Sequence, residues 1–332
     1  MEIEYAYPPK GRQLERVRTF LGALGLGWDE GSQFTVNLTE NGRMLASGSR
    51  QNNVLKCIGV AADHQGEGLT ASIVTELVKD ALYQGFSHCF LFTKPENITR
   101  FEGLGFWLIA ETADAALLEN RKNGVPAFVD ALGPVDHLAR GGKRGAVVAH
   151  CNPFTKGHLY LIEEAARRCS SLDLFILSEP GGVFPPGVRM ELAIRGTAHL
   201  ATVQVHPTGA YLISSVTFPE YFIQDRDRVP EIHAELDITI FAQYFAKPRF
   251  IVHRFIGTEP HSRLTAMYNQ RLQALLPPRG IEVIEIPRLE AGGAAISASR
   301  VRDLLRQSRL EDIRPLVPDS TYEYLSQGTG KG

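Results

Sequence analysis

The chain has 332 residues, with 44% hydrophobic and 22% charged residues and a formal net charge of −2. The length favours two domains, and the composition is that of a globular protein. A net charge this close to zero gives no general positive field, so a nucleic-acid partner is not expected. The four cysteines form no CxxC pair, which disfavours a bound structural metal or a disulfide framework. Scattered cysteines fit a reducing compartment, and we expect a cytoplasmic protein.

A helix is the first predicted element. Leu14, Val17, Leu21 and Leu24 fall on one helical face, which is typical of a buried amphipathic helix. The apolar run around them contains glycines and leads into acidic residues instead of a cleavage site, which disfavours a signal peptide. No apolar run reaches the roughly 18 residues of a membrane span, so no membrane association is expected.

A hairpin and a crossover helix are predicted next. The dipeptide Asn41-Gly42 separates two strand-like runs, which is a strong hairpin signal. The predicted elements are strands at Phe34–Leu38, Met44–Ser49, Val54–Val60 and His88–Thr93, with a helix at Leu69–Tyr83. Together they predict a mixed α/β domain over residues 1–135.

Glycines and charged residues cluster in the segment 136–145, which reads DHLARGGKRG and predicts a linker. Strands and helices alternate from residue 146 to residue 328, as expected for a doubly wound parallel sheet. The predicted strands are Ala146–His150, Leu172–Ser178, Thr202–His206, Arg249–Ile256 and Ile281–Ile286. Helices are predicted at His158–Arg168, from about Pro186, at Ser262–Leu276 and at Ser299–Gln307. Ligands of such sheets bind beyond the carboxyl ends of the strands.

The loop after the first strand of this sheet carries a candidate phosphate site. It contains Asn152, Pro153, Phe154, Thr155, Lys156, Gly157 and His158. His158 falls at a helix N-terminus, where backbone N–H groups and the helix dipole favour a phosphate. Gly157 allows the backbone to approach that phosphate, and Lys156 adds a positive charge beside it. Read alone, the loop is also compatible with an ordinary capped turn.

A second loop near the C-terminus has the same character. Ser297 or Ser299 is placed to cap a helix, and the hydroxyl groups can also bind phosphate. Arg302 lies in the first turn and offers a planar fork of donors that suits phosphate oxygens. Read alone, this segment is compatible with a serine-capped helix bearing solvated arginines.

The two loops together resemble the (H/T)xGH and ISSTxxR signatures of the HIGH-motif nucleotidyltransferases. Thr155 stands in the place of the first histidine, and Ala298-Ser299 replaces the usual Ser-Thr pair. Several further stretches resemble one group of these enzymes, the citrate lyase ligases. They are Phe184-Pro185 with Arg189, Thr217–Phe222, Val252–Pro260 and Met267–Gln270.

The glycine loop of the N-terminal part resembles the pyrophosphate loop of GNAT acetyltransferases. Its residues are Gln65, Gly66, Glu67, Gly68 and Thr70, with Thr70 in the place of the usual Gly or Ala. The stretch Thr93–Phe106 also resembles a GNAT segment. A GNAT-like domain ahead of a TxGH domain is the arrangement of the citrate lyase ligases.

This resemblance implies that ATP and acetate acetylate the thiol on the acyl-carrier subunit of citrate lyase, through acetyl-adenylate, with release of AMP and pyrophosphate. His158, Arg302 and Lys156 are the implied catalytic residues, and Mg²⁺ is expected to accompany ATP. The implied ATP-binding residues are Asn152, Pro153, Phe154, Thr155, Gly157, Gly257, Glu259, Ser297 and Ser299. The Gln65–Thr70 loop is implied to hold a coenzyme-A-like arm.

Three alternatives remain open from the residues. A small-molecule adenylyltransferase of the coenzyme A or NAD type would share the TxGH loop. A GNAT N-acetyltransferase would carry a regulatory nucleotide module, although intact His158 and Arg302 speak against it. A nucleotide-sensing protein would bind ATP without releasing pyrophosphate.

Overall fold

The computed structural model describes residues 1–135, 142–179, 182–212, 218–259, 262–291 and 294–328. The strands are, in chain order, β1 (Glu2–Ala6), β2 (Phe34–Glu40), β3 (Arg43–Gln51), β4 (Val54–Val60), β5 (Phe90–Thr93), β6 (Trp107–Glu111), β7 (Ala116–Glu119), β8 (Arg144–Ala149), β9 (Ser171–Ile176), β10 (Val203–Pro207), β11 (Ile251–Gly257), β12 (Glu282–Ile286), β13 (Glu290–Ala291) and β14 (Ala294–Ala295). The α-helices are α1 (Gly11–Ala23), α2 (Leu69–Tyr83), α3 (Ile98–Glu102), α4 (Gly124–Asp130), α5 (Lys156–Ala166), α6 (Pro186–Thr197), α7 (Val229–Ile240), α8 (Arg263–Leu275), α9 (Ala298–Arg306) and α10 (Asp319–Gly328).

Contacts between residues divide the chain into two compact units. Unit 1 comprises Met1–Val125 and Thr217–Thr239, and unit 2 comprises Pro126–Val216 and Ile240–Gly332. The predicted domains differ from this division, because residues 126–135 group with unit 2 and 217–239 with unit 1. Aromatic side chains of the later segment pack inside unit 1, which periodicity cannot reveal. Residues 136–141 of the predicted linker lie outside the described residues, and its last two residues, Arg144 and Gly145, already belong to β8.

The described strands of unit 1 form one sheet in the order β1-β2-β3-β4-β5-β7-β6. The Asn41-Gly42 hairpin is confirmed, since β2 and β3 pair antiparallel on either side of it. Strands β4 and β5 are parallel and pair only at Val54–Phe90 and Leu55–Leu91. Helix α2 lies between them in the chain and has the predicted bounds. A mixed α/β domain is therefore confirmed.

A bulge in β4 explains why its pairing with β5 is so short. Opposite β3, Ser49 pairs with Lys56 but Ser47 pairs with Gly59, so the register shifts between these positions. Cys57 lies in this irregular stretch with a φ of 53°, in the left-handed region that non-glycine residues rarely adopt. A bulge bends its strand. Strand β4 consequently leaves β5 just after Leu55, and the two strands splay toward their carboxyl ends.

Unit 2 contains a parallel sheet in the order β10-β9-β8-β11-β12. The chain starts in the middle of the sheet, runs to one edge and returns to the other side, so the predicted doubly wound fold is confirmed. The strand order reverses between β8 and β11, and a crevice forms at such a reversal beyond the carboxyl ends of the strands.

A buried ionic cluster lies in the sheet of unit 2. Asp173 on β9 accepts hydrogen bonds from the Arg249 Nε and Nη2 atoms, both at 3.0 Å. Arg144 Nη2 and His206 Nε2 lie 3.2 Å and 3.1 Å from the same carboxylate. Burial alone would raise the pKa of Asp173, but the hydrogen bonds from His206 and Arg249 outweigh it and lower the pKa to about 2.

No helix in the described ranges is both long enough and apolar enough to cross a membrane.

Candidate functional site

The N-terminus of α5 lies at the carboxyl end of β8 and begins with a reciprocal cap. Thr155 is the N-cap, and its Oγ1 accepts a hydrogen bond from His158 N at 3.3 Å. In return, Thr155 N donates to His158 Nδ1 at 3.1 Å. This is a capping box with histidine in the position usually held by glutamate or glutamine.

Protein groups use most of the N–H donors in this first turn. Besides the two donors of the capping box, Lys156 N donates to the Leu316 carbonyl at 2.9 Å. Within the described part of the chain, Gly157 N–H has no protein acceptor. Gly157 therefore offers the backbone donor that remains for an anion at this helix terminus.

The cap also fixes the tautomer of His158. Because Nδ1 accepts the Thr155 N–H, the neutral imidazole carries its proton on Nε2. Burial lowers the pKa of His158 to about 4, with further contributions from Arg288 and His150. His158 lines a cleft of about 630 Å³. Near neutral pH it presents an uncharged N–H donor there, not an imidazolium.

The two sequence motifs meet in this cleft. A Cβ atom on Gly157 would lie 2.9 Å from the Ile296 carbonyl oxygen, so α5 and the start of α9 are in direct backbone contact. Ser297 caps α9 by accepting Arg300 N at 3.2 Å, and Ser297 and Ser299 line the cleft. Two helix N-termini thus border one crevice, as in a phosphate-binding site.

Arg302 connects the same two loops. Its Nη1 donates to the Asn152 carbonyl at 2.6 Å, and its Nη2 donates to Ser299 Oγ at 2.9 Å. The guanidinium keeps further N–H groups beyond these two. Arg302 is not among the cleft-lining residues, so its place is behind the wall where the loops join.

The opposite side of the cleft is built by β11 and β12. Asn269 Nδ2 donates to the carbonyl of Gly257 at 3.0 Å, at the end of β11. Glu259 forms an ion pair with Arg288, and the Arg288 Nε also donates to the Thr258 carbonyl at 2.6 Å. Gly257, Glu259 and Arg288 all line the cleft. Pro260, at the end of the predicted edge loop, lies outside the described residues.

The predicted residues that do not line the cleft are Asn152, Pro153, Phe154, Lys156 and Arg302. Asn152 is buried and its Oδ1 accepts Phe184 N at 3.0 Å, while Phe154 is part of the hydrophobic core. Lys156 Nζ donates to the Arg314 carbonyl at 3.3 Å. Asn152, Pro153 and Phe154 lie behind the loop and support it. The Lys156 ammonium is held by the Arg314 carbonyl.

Sequence reasoning missed a cluster beside the cleft. His150 lines the cleft and its Nε2 lies 3.2 Å from Glu179 Oε1. Arg189 is fully buried behind them, and its Nη2 donates to the Glu179 carbonyl at 2.5 Å. Burial, together with the charges of Arg189 and Arg302, lowers the pKa of His150 to about 4. His150 ends one predicted strand and Glu179 directly follows another, and that position was the available signal.

The predicted arm loop of unit 1 lies between β4 and α2. Gly66 and Gly68 have φ values of 90° and 77°, and nothing lies within 4 Å of a Cβ built at either position. Gly68 is the N-cap of α2 and supplies no side chain to cap it. Glu67 turns to His64, with 2.9 Å between Oε2 and Nδ1. Gln65 and Thr70 line a groove of about 270 Å³.

Comparison with known proteins gives consistent matches along the chain. The family model of the citrate lyase ligase C-terminal domain matches residues 144–325. A citrate (pro-3S)-lyase ligase of Klebsiella pneumoniae is 39% identical over 318 residues, which cover 94% of this chain and 92% of that protein. The enzyme of the same name from Escherichia coli K12 is 36% identical over 324 residues, covering 95% and 91%.

A likeness to solved structures is also found for part of the chain. The crystal structure of an acyl-CoA N-acyltransferase from Pseudomonas aeruginosa covers 36% of this chain and 100% of that chain. The identity is 9% and the TM-score is 0.32, which is too low to carry an argument.

Proposed function

Because the chain belongs to the citrate lyase ligase family and is an enzyme of the ligase class, we propose that it uses ATP and acetate to acetylate the thiol arm on the acyl-carrier subunit of citrate lyase. An acetate oxygen attacks the α-phosphorus of ATP, and pyrophosphate leaves. The thiol sulfur then attacks the carbonyl carbon of acetyl-adenylate, and AMP leaves. The thiol gives up its proton, and the product is an acetyl thioester.

The observation that carries this proposal is the convergence of two helix N-termini on one cleft. Gly157, His158 and the first turn of α9 all border this cleft, where the phosphates are proposed to bind. Donors fixed by the fold stabilise charge that develops on the bridging and leaving phosphate oxygens without having to reorganise. Acetate is already ionised at neutral pH, so the first step needs no general base.

His158 is proposed as the central catalytic residue of the first step. Its low pKa keeps it neutral, and its capped Nδ1 directs the remaining proton to Nε2. A neutral donor binds a phosphate oxygen without losing a proton to it. Arg302 supplies positive charge where the two loops join, and Ser297 and Ser299 border the same phosphates. A phosphate contact from Lys156 requires its Nζ to leave the Arg314 carbonyl.

Gly257 and Glu259 are proposed to border the nucleotide on the other side of the cleft. Mg²⁺ enters with ATP as part of the substrate, since magnesium keeps several waters and binds largely through substrate phosphates. Among the described residues, no group of three or more His, Cys, Asp or Glu side chains could hold a metal.

Unit 1 is proposed to hold the coenzyme-A-like thiol arm at the Gln65–Thr70 loop. The support is the open backbone at Gly66 and Gly68 at the start of α2, together with the groove beside it. A Gly68→Glu variant would place a carboxylate where the arm's pyrophosphate is proposed to bind. Gly42→Glu is the matched control, because Gly42 has a φ of 80° and is equally unobstructed.

Binding of the arm is tested by measuring the rate at which deacetylated citrate lyase is acetylated. The Gly68 variant should lose at least about tenfold through charge repulsion, and the Gly42 variant should keep the wild-type rate. Equal rates in both variants would remove unit 1 from arm binding.

The decisive experiment for the cleft measures pyrophosphate release from ATP with acetate. His158→Gln is the sharpest variant, because glutamine at this helix position preserves a capping box while the imidazole donor is lost. His158→Ala removes both the capping interaction and the imidazole donor. Release that depends on acetate and falls by about 100-fold in each variant supports the proposal.

Adding deacetylated citrate lyase to a parallel reaction tests the identity of the acetyl acceptor. Restored citrate lyase activity identifies the carrier thiol as the substrate. If acetate gives no pyrophosphate while a mononucleotide or phosphopantetheine does, the chain is a small-molecule adenylyltransferase instead. ATP binding without any pyrophosphate release would indicate a nucleotide sensor.

A further inference from the structure

The groove of unit 1 is a wedge between two splayed strands. Strands β4 and β5 separate after the Leu55–Leu91 pair, so the wedge is narrow there and opens toward their carboxyl ends. Gln65 and Thr70, which follow β4 in the chain, line the open side. The groove therefore runs from the arm loop toward an apex beyond the last pair, where Ile58 on β4 and Thr93 on β5 line it.

Tyr221 reaches this apex from a distant part of the chain. Its hydroxyl donates to the Phe92 carbonyl at 2.8 Å, one residue beyond the last β4–β5 pair. Its own carbonyl accepts Gly27 N at 2.6 Å. Tyr221 is 5% exposed and lines the groove together with Phe222, which is 2% exposed. Tyr221 is thus held at its hydroxyl by β5 and at its backbone by Gly27.

The segment that carries Tyr221 is anchored at several points in unit 1. The Phe218 ring meets the Phe92 ring edge-on at 5.5 Å between centroids. Arg228 forms an ion pair with Asp114 at 2.8 Å. These anchors hold the segment, and with it Tyr221 and Phe222, in place along the groove.

We propose that Tyr221 forms a stop at the apex of the unit 1 groove, which accepts the free thiol end of a pantetheine-type arm and rejects the acetylated end. The proposal rests on the arm-binding role given above to unit 1. An acetyl group adds three non-hydrogen atoms beyond the sulfur, and protein interiors are packed too densely to admit them without displacement of the wall. The groove would thereby hold the free thiol before transfer; the thiol leaves the apex to react with acetyl-adenylate, and the acetylated end is not readmitted.

The test compares the affinity of the full-length protein for coenzyme A and for acetyl-coenzyme A by calorimetry. The wild type should bind coenzyme A at least tenfold more tightly. Tyr221→Ala opens the apex and should bring the two affinities within about threefold of each other. Tyr221→Phe keeps the ring and loses only the hydroxyl contact, so it should retain the wild-type preference.

Each result bears on the proposal. Equal affinities in the wild type overturn the stop and leave the arm site in place. A folded Tyr221→Ala protein that still prefers coenzyme A tenfold also overturns it. If neither compound binds to the wild type, the stop and the arm-binding role of unit 1 both fail. The wild-type and Tyr221→Phe measurements decide the matter even if Tyr221→Ala does not fold.

Discussion

Gly157 and Ile296 are in backbone contact, so tight that a Cβ on Gly157 would lie 2.9 Å from the Ile296 carbonyl oxygen. The residues are far apart in the sequence, and each belongs to one of the two phosphate motifs. A backbone carbonyl cannot move aside as a flexible side chain can. The close approach therefore sets the distance between the two helix N-termini that border the cleft.

Gly157→Ala should push the two loops apart. We expect the rate of pyrophosphate release to fall by about 10- to 100-fold, since small misplacements of catalytic donors are costly, and stability to fall by about 1–3 kcal/mol. Gly187→Ala is the matched control, because Gly187 holds the same position in the first turn of α6 and nothing lies within 4 Å of a Cβ there. A Gly157 variant as active as the Gly187 variant would contradict the role of this contact.

The low pKa of His158 predicts a specific dependence of stability on pH. Its pKa is about 4 in the folded chain against 6.5 in the unfolded chain, so between these values the unfolded state binds more protons. The free energy of unfolding should therefore fall as pH drops from 6.5 to 4, by up to about 1.4 kcal/mol per pH unit for His158. His150 contributes in the same window and direction.

Urea denaturation between pH 4.5 and 7 checks this dependence, with His158→Gln as the comparison. The variant lacks one of the two titrating groups and should show a shallower loss of stability toward low pH. An unchanged slope would mean that His158 titrates normally. The rate of pyrophosphate release by the wild type, plotted against pH, should show no inflection near pH 6.5, because His158 remains a neutral donor on both sides of that value.

Arg302 should matter more than either of its partners. Arg302→Ala removes both loop contacts and the charge, and we expect pyrophosphate release to fall by about 100-fold. Ser299→Ala removes only the 2.9 Å contact and should cost less than about fivefold. Arg302→Lys keeps the charge without the fork and should lie between them. Initial rates at saturating ATP separate the three, and a Lys variant with full activity would show that charge alone is needed.

Unit 2 should be sensitive to the loss of any one partner from the buried ionic cluster at Asp173. Arg249→Met leaves a buried carboxylate with fewer partners and should cost about 3–5 kcal/mol. Arg309→Met is the control, since the Arg309–Asp312 pair is exposed and should be worth about 1 kcal/mol or less. Chemical denaturation of both variants gives the comparison. A loss below about 1 kcal/mol at Arg249 would show that the cluster contributes little.

Local patterns in the sequence were sufficient for most of the fold. The Asn41-Gly42 turn, the bounds of α2 and the alternation of unit 2 follow from turn chemistry and periodicity, which act over a few residues. Strand β1 was missed, although its exposed and covered residues alternate weakly. It is paired only with β2, at the edge of its sheet. Such a strand needs few apolar residues and leaves a faint signal.

Only the two motif loops of the candidate site could be predicted from the sequence. The loops at His158 and Ser297 meet as the two motifs suggested, because parallel strands bring their carboxyl ends to one edge. The inward support by Asn152 and Phe154 and the cluster of His150, Glu179 and Arg189 depend on packing between distant elements. The ATP-binding roles of Asn152 and Phe154 and the catalytic roles of His158, Lys156 and Arg302 stay predictions.

The segment around Tyr221 has a consequence for how this enzyme can be divided. It is encoded between β10 and β11 of unit 2, yet Phe218, Tyr221 and Phe222 bury their rings in unit 1. Cutting the chain after Val125 would leave the first fragment without Tyr221 and Phe222 at its groove. The second fragment would carry Phe218, Tyr221 and Phe222 without the residues against which they pack. Neither half of the chain is therefore a self-sufficient module, and a cut at this point is expected to destabilise both fragments.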